Sequence, residues 1–411
     1  MRHLINNDGR PFEISELQTL HDELDALDDN GRKEYRDRNS SAIAENISEK
    51  ILIVSGPGTG KSTLFLDRIK YWYKQDSHAK VFVISFVRKL VADLQNDINN
   101  NPQLTNEQKS SITASTLHKF ARSIVEQNRG TTEWRFKPHF QIIGQTWKDV
   151  VWNDVLFFYA DIDVSIYSWE KFEEQLHNAE INESTEWQNL KKAYFKLCSF
   201  YNAAGFADLI IRATDALTEN HHLNESKYFI IDEYQDFNAA EDALINRLVI
   251  GSRGLLIAGD DEQVLYEKSR SGKPILIRNL YQNHDYVNGM LPFCSRSKDN
   301  FHITKSADFF INQNRNDDCI KKIYLPIKTT TDCPKTQVIA CSSPNSAVDY
   351  IEKFVTDNKT DIDERKSKLT EGKEKDAFLL ILTPRKIEKF LVNKKFNGNE
   401  KIESLISEYQ T

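Results

Sequence analysis

Ile51-Leu52-Ile53-Val54-Ser55-Gly56-Pro57-Gly58-Thr59-Gly60-Lys61-Ser62-Thr63 is the stretch from which the rest of the chain is read. The branched apolar run predicts a short buried strand, the glycines a tight loop, and the helical spacing of Leu64-Phe65-Leu66 after Lys61 a helix. Only 15 glycines occur in 411 residues, so this clustering needs a cause. The spacing is that of the phosphate loop G-x-x-x-x-G-K-[ST], with Ser55 standing where its first glycine does. In such a loop, backbone N–H groups turn onto phosphate oxygens and the following helix adds its positive end. Ser55, Gly56, Pro57, Gly58, Thr59, Gly60, Lys61, Ser62 and Thr63 would then cradle a nucleotide. Lys61 would reach its β and γ phosphates and the Ser62 hydroxyl would bind Mg²⁺. The alternative is a glycine-rich turn that happens to precede Lys-Ser.

Working outward, similar apolar runs recur at 80–86 (KVFVISF), 228–232 (YFIID), 254–258 (GLLIA), 337–341 (QVIAC) and 377–382 (AFLLIL). Runs apolar on both faces, alternating with helical stretches such as Lys89 to Ile98, predict parallel strands covered by helices on both sides. The fold class is α/β, of the phosphate-loop nucleotide-hydrolase kind. Between Val125 and Ala204 the text turns aromatic-rich, charged and helical (Trp147, Trp152, Phe157, Trp169, Phe172, Trp187, Phe195) and predicts an inserted helical subdomain. The insertion is expected over 125–204. The charged stretch 361–375 reads as a solvated loop.

A phosphate loop needs a carboxylate at the end of a neighbouring strand to hold the Mg²⁺ water shell, and Asp232 after the 228–231 run supplies one. Glu233 beside it is placed to deprotonate the water that attacks the γ phosphate, as general base. An exposed acidic turn is the plainer reading of the same residues.

Charge and composition narrow the classes. Lys and Arg number 54 against 61 Asp and Glu, a net −7, which excludes a protein that holds nucleic acid by an overall positive field. No stretch approaches eighteen apolar residues and Met1 to Ile14 has no signal-like run, so no membrane partner and a cytoplasmic location are expected. The five cysteines, Cys198, Cys294, Cys319, Cys333 and Cys341, include no CxxC pair and are expected as thiols.

Asp232-Glu233-Tyr234-Gln235-Asp236 resembles the DExQD box of superfamily 1 helicases of the UvrD/Rep/PcrA type. Further segments are similar to that family in the same order. Val83 to Lys89 looks like V-T-F-T-N-K-A, Thr116-Leu117-His118 like T-F-H, and Gly205 to Ile210 like F-D-D-L-L. Gly259-Asp260-Asp261-Glu262-Gln263-Val264-Leu265-Tyr266 looks like G-D-D-D-Q-S-I-Y, and Leu291 to Ser297 fits L-x-x-N-Y-R-S.

The resemblance implies a first RecA-like ATP-binding domain over 1–124 and 205–283, interrupted by the insertion, and a partial second one over 284–411, with ATP and Mg²⁺ as cofactors, single-stranded DNA as partner, and movement 3′ to 5′. It implies that Gln263 touches the γ phosphate, that Arg296 is an arginine finger, and that Gln235 links the attacking water to DNA-facing elements. Phe86 is placed like the aromatic that stacks on a base, His118 and Tyr266 would lie near the DNA, and Asn39 stands where the family reads adenine with a glutamine. Core packing for Phe86, a structural histidine for His118 and a surface ion pair for Arg296 are the alternatives. Where the family carries a DNA-stacking tryptophan this chain has Lys268, with Arg270 just beyond, so a cation would grip phosphate. The resemblance covers roughly Asn39 to Pro384 and includes neither a G-x-E-F nor a Q-x-R-x-x-V-A-x-T-R segment. A truncated or split protein is therefore expected, or a partner that completes the second motor domain. The function implied is an ATP-dependent helicase or translocase. The alternative is an ATP- and DNA-binding regulatory subunit working with a nuclease or other partner.

Overall fold

The computed structural model describes residues 2–128, 137–158, 168–178, 184–217, 227–265, 267–296, 301–330, 350, 353–354 and 356–360. The chain divides into two units, Met1–Thr336 and Gln337–Thr411. In the second, the Asn358 N–H bonds the Phe354 carbonyl at 3.1 Å; all elements below belong to the first.

Its strands in chain order are β1 (Ile5–Asn6), β2 (Lys50–Val54), β3 (Lys80–Ser85), β4 (Ile112–Thr116), β5 (Gln141–Ile142), β6 (Ala203–Ala204), β7 (Lys227–Ile231), β8 (Gly254–Gly259), β9 (Val287–Gly289), β10 (Phe293–Cys294) and β11 (Leu325–Pro326). Seven of them form one sheet in the order β1-β9-β2-β8-β7-β3-β4. Only β1 runs antiparallel to its neighbour; the other pairings are parallel. The protein is thus mixed α/β with a mostly parallel central sheet.

Alternation along the strands explains why the apolar runs are continuous. Leu52, Val54, Phe229, Ile231, Leu255 and Ile257 pack into one core. Their neighbours Ile51, Ile53, Tyr228, Ile230, Leu256 and Ala258 pack into another on the opposite face. Each such side chain taken fully out of water contributes about 1.5–3 kcal/mol. Val54 pairs with Gly259, Ile231 with Ile257, Ile84 with Ile231 and Ser85 with Thr116. The carboxyl ends of β2, β3, β4, β7 and β8 therefore lie along one edge, where open α/β sheets bind ligands.

The helix Lys61–Gln75 leaves this edge from β2. Fully buried Arg68 holds it in place, donating to the carbonyls of Ala44 at 3.0 Å, Asn46, and Ser48 at 2.8 Å just ahead of β2. Helices Gln145–Phe158, Trp169–Asn178 and Thr185–Tyr201 share a separate core of Trp152, Trp169, Phe172, Trp187, Tyr194 and Phe195.

The strands that go beyond the sequence reading include β4 and β9. Polar Ile112-Thr113-Ala114-Ser115-Thr116 forms β4 because an edge strand, paired on one side only, need not be apolar throughout. Short β9 pairs with β2 and carries the first sheet past residue 283, where its domain was expected to end. The runs at 337–341 and 377–382, and Cys333 and Cys341, lie outside the described residues.

Candidate functional site

Ser55 opens the glycine loop by donating its N–H to the Gly259 carbonyl at 3.2 Å. Its hydroxyl, wholly buried, accepts from the Leu291 N–H at 2.7 Å. The serine in place of a glycine thus ties the loop to the segment after β9. Gly58 (φ 71°) and Gly60 (φ 101°) lie in the left-handed region that a side chain disfavours. Gly60 caps the helix without a side-chain bond, so the first N–H groups of Lys61–Gln75 have no side-chain acceptor from the cap. The Thr59 hydroxyl donates to the Gly56 carbonyl at 2.9 Å, and the Lys61 ammonium folds back to the Ser55 carbonyl at 3.3 Å.

β7 delivers Asp232 beside this loop. Asp232 is buried; burial, then the charge of Glu233, push its carboxyl up to about 7, against the opposing pull of Lys61. Ser62, Ser85 and Asp232 line the same crevice, and among the described residues no group of three or more His, Cys, Asp or Glu could hold a metal. One carboxylate plus a hydroxyl, the rest of the shell being water and phosphate, is how Mg²⁺ is usually bound, so these residues fit it.

Glu233 adopts a left-handed backbone, φ 54° and ψ 45°. Gln235, buried, donates from Nε2 to the Glu233 carboxylate at 2.8 Å and accepts the Asp260 N–H on Oε1 at 2.9 Å. Gly259 is required here: a Cβ on it would sit 2.6 Å from Gln235 Oε1. Gln235 therefore links the candidate base to the end of β8. Gln263 closes the chain, its Nε2 donating to Asp260 Oδ2 at 2.6 Å.

The three carboxylates after β8 are all paired. Lys322 reaches Asp260 at 2.5 Å and also Glu262, Arg315 pairs with Glu262 at 2.5 Å, and Arg278 with Asp261 at 2.8 Å. Tyr324 follows Lys322 by two residues. Its hydroxyl donates to the Pro57 carbonyl at 3.0 Å, and a Cβ on Gly56 would lie 2.6 Å from its ring. The Ser295 N–H donates to the Gly58 carbonyl at 2.8 Å, and a Cβ on Gly58 would meet Arg296 Cβ at 2.5 Å. Arg296, exposed, thus starts from the loop itself.

A second cluster forms beyond β3 and β4. The Arg270 guanidinium lies over the Phe86 ring, 4.7 Å from its centroid, and 3.3 Å from His118 Nε2. Burial pushes His118 down to about 3, so the imidazole is neutral. Beneath both sits buried Glu241, 3.7 Å from His118 and 3.8 Å from Arg270, its carboxyl pushed up to about 7 by burial. The cations Arg88, Lys119 and Arg122 line a groove of about 530 Å³ alongside His118.

Lys61, Ser62, Asp232, Glu233, Gln235, Gln263 and Arg296 thus gather along one sheet edge, and Phe86 and His118 share the neighbouring cluster. Asn39 faces the interior. It is wholly buried; its Oδ1 accepts the Leu4 N–H at 2.7 Å and its Nδ2 donates to the Met290 carbonyl at 2.8 Å. Both ends of the amide are used inside the fold. Tyr266 lies outside the described residues. Lys322, Arg315, Tyr324 and Glu241 escaped the sequence reading because their partners are distant in sequence and no motif spacing marks them.

Residues 36–285 match the family model described as UvrD/REP helicase N-terminal domain. A probable DNA helicase II homolog of Mycoplasma genitalium is 24% identical, covering 64% of this chain and 38% of its own length. The ATP-dependent DNA helicase Rep of Buchnera aphidicola is 25% identical, over 59% of this chain and 38% of that protein. The ATP-dependent DNA helicase PcrA of Staphylococcus epidermidis is 26% identical, over 53% of this chain and 32% of that protein. The chain spans about a third to a half of the length of the curated relatives it matches.

Proposed function

The chain belongs to the UvrD/REP helicase N-terminal domain family, and from that premise we propose that it is the ATP-hydrolysing part of a superfamily 1 DNA helicase or translocase, moving 3′ to 5′ on single-stranded DNA. The observation that carries this reading is the unbroken polar path from Glu233 through Gln235 and Asp260 to Gln263, beside the glycine loop. Glu233 takes the proton of the water that attacks the γ phosphate, and Gln263 touches that phosphate and registers its loss. Lys61 turns from the Ser55 carbonyl to the β and γ phosphates, and the loop N–H groups hold their oxygens. Mg²⁺, held by Ser62 and Asp232, would neutralise charge between the phosphates. Arg296 reaches from the segment that follows β9, where the second RecA-like domain opens, and balances the charge that develops on transfer. The helices sharing the separate aromatic core are the inserted subdomain.

Phe86 stacks on a base, and Arg270, already on that ring, takes a strand phosphate; His118 borders the same path. The proposed site of action is the cytoplasm; no helix among the described residues is long and apolar enough to cross a membrane.

Lys61→Ala should abolish ATP hydrolysis, whereas Glu233→Gln should bind nucleotide normally and stop turnover. Hydrolysis retained by both variants ends the assignment. A second reading is an ATP- and DNA-binding regulatory subunit working with a nuclease or other partner. Strand-stimulated hydrolysis and strand displacement by the purified chain would favour the motor; nucleotide and oligonucleotide binding without either would favour the subunit.

A further inference from the structure

Lys322 lies 62 residues beyond Asp260 in sequence and on top of it in the fold. Its ammonium is buried, 2.5 Å from Asp260 Oδ1, in contact with Glu262 and 3.8 Å from Asp261 Oδ1. The other Asp260 oxygen, Oδ2, receives the Gln263 amide at 2.6 Å. One carboxylate is thus gripped on one side by Lys322 and on the other grips Gln263. A buried charge left without its partner is strongly unfavourable, so the orientation of Asp260 depends on Lys322. The Gln263 amide, rotatable about its own side-chain bonds, depends in turn on Asp260. On the same residue, the Asp260 N–H is held by Gln235.

We infer that Lys322 is a positioning residue which, through Asp260, aims the Gln263 amide at the terminal phosphate and so sets the preference for a nucleoside triphosphate over a diphosphate. This rests on the reading above, in which Gln263 meets the γ phosphate. Lys322 is not alone in docking the 315–324 segment. Arg315 pairs with Glu262, Arg278 with Asp261, the Ile320 N–H bonds Asp261 at 3.0 Å, and the Tyr324 hydroxyl bonds Pro57. A residue serving only to dock would change both nucleotides alike or neither; an aiming residue changes only the one with a third phosphate.

The test measures binding of Mg²⁺-ADP and of a non-hydrolysable Mg²⁺-ATP analogue to the full chain, for wild type, Lys322→Met, Lys322→Arg, Gln263→Ala and the Lys322→Met/Gln263→Ala double variant. Lys322→Met should lose at least fivefold in the triphosphate-to-diphosphate affinity ratio with ADP affinity unchanged. Lys322→Arg should keep most of the ratio, and the double variant should equal Gln263→Ala. Should Lys322→Met melt below the assay temperature, Lys322→Gln replaces it with the same expected outcomes. An unchanged ratio, an equal loss for both nucleotides, or an added loss in the double variant overturns the inference alone, as does a wild type that binds both nucleotides equally. A wild type that binds neither nucleotide overturns the proposed function as well.

Discussion

Gln235 donates a 2.8 Å hydrogen bond from its buried amide to the Glu233 carboxylate, while its carbonyl oxygen holds the Asp260 N–H. One side chain therefore fixes the candidate base against the end of the neighbouring strand. Glu233 has a left-handed backbone, uncommon for a residue with a side chain, and such conformations persist where the surroundings over-determine them.

Gln235→Ala should leave nucleotide affinity within about twofold of wild type and lower turnover by about 10- to 100-fold, since a misaimed base loses proximity rather than binding. Parallel measurements of nucleotide binding and oligonucleotide-stimulated hydrolysis check this. An equal loss in both would make Gln235 a structural residue.

Asp232 gives a pH prediction. Its folded carboxyl is raised from 3.8 to about 7 by burial and by Glu233, so between those values the folded state binds more protons than the unfolded one. The stability it contributes is full below the unfolded value and is lost as pH rises through about 7. Without Mg²⁺ or nucleotide, Asp232→Asn should therefore raise stability at pH 8, and the gain should shrink toward pH 5. Thermal melts of both proteins at the two values decide it; a gain that is larger at pH 5 refutes the assignment.

Asn39→Ala leaves the Leu4 N–H and the Met290 carbonyl without their partners in a buried place. The expected cost is about 1–3 kcal/mol of stability, with no change in the preference for ATP over GTP. Denaturant titration reads the first, competition binding the second; a lost base preference in a stable variant would give Asn39 the role expected from sequence.

Phe86 and Arg270 should separate by their response to salt. Phe86→Ala should weaken oligonucleotide binding by about 1–3 kcal/mol at every salt concentration. Arg270→Gln should instead lower the slope of log affinity against log salt by about 0.7, the share of one phosphate on a single strand. Glu241, already raised to about 7, can absorb the loss of Arg270 by taking a proton. Oligonucleotide titrations across a salt series distinguish the two effects.

The sheet was legible where strands are buried on both faces. β2, β3, β7 and β8 are continuous apolar runs because each face meets its own core. β4 and β9 were not legible: one is half polar at an edge, and the other is short and ends in glycine. In the site, Lys61 and Ser62 could be read from the glycine loop that joins β2 to its helix, and Asp232 and Glu233 from their place at the end of β7.

By itself the sequence determined the α/β class, the glycine loop and the acidic strand end, because backbone conformation and strand burial are local consequences of residue type. Tertiary structure alone decided what those groups touch. It turned Asn39 inward, set Arg270 on Phe86, and brought Lys322 and Tyr324 back onto Asp260 and Pro57. Ion pairs and hydrogen bonds depend on distance in space, and segments dozens of residues apart acquire that distance only when the sheet and its covering layers close.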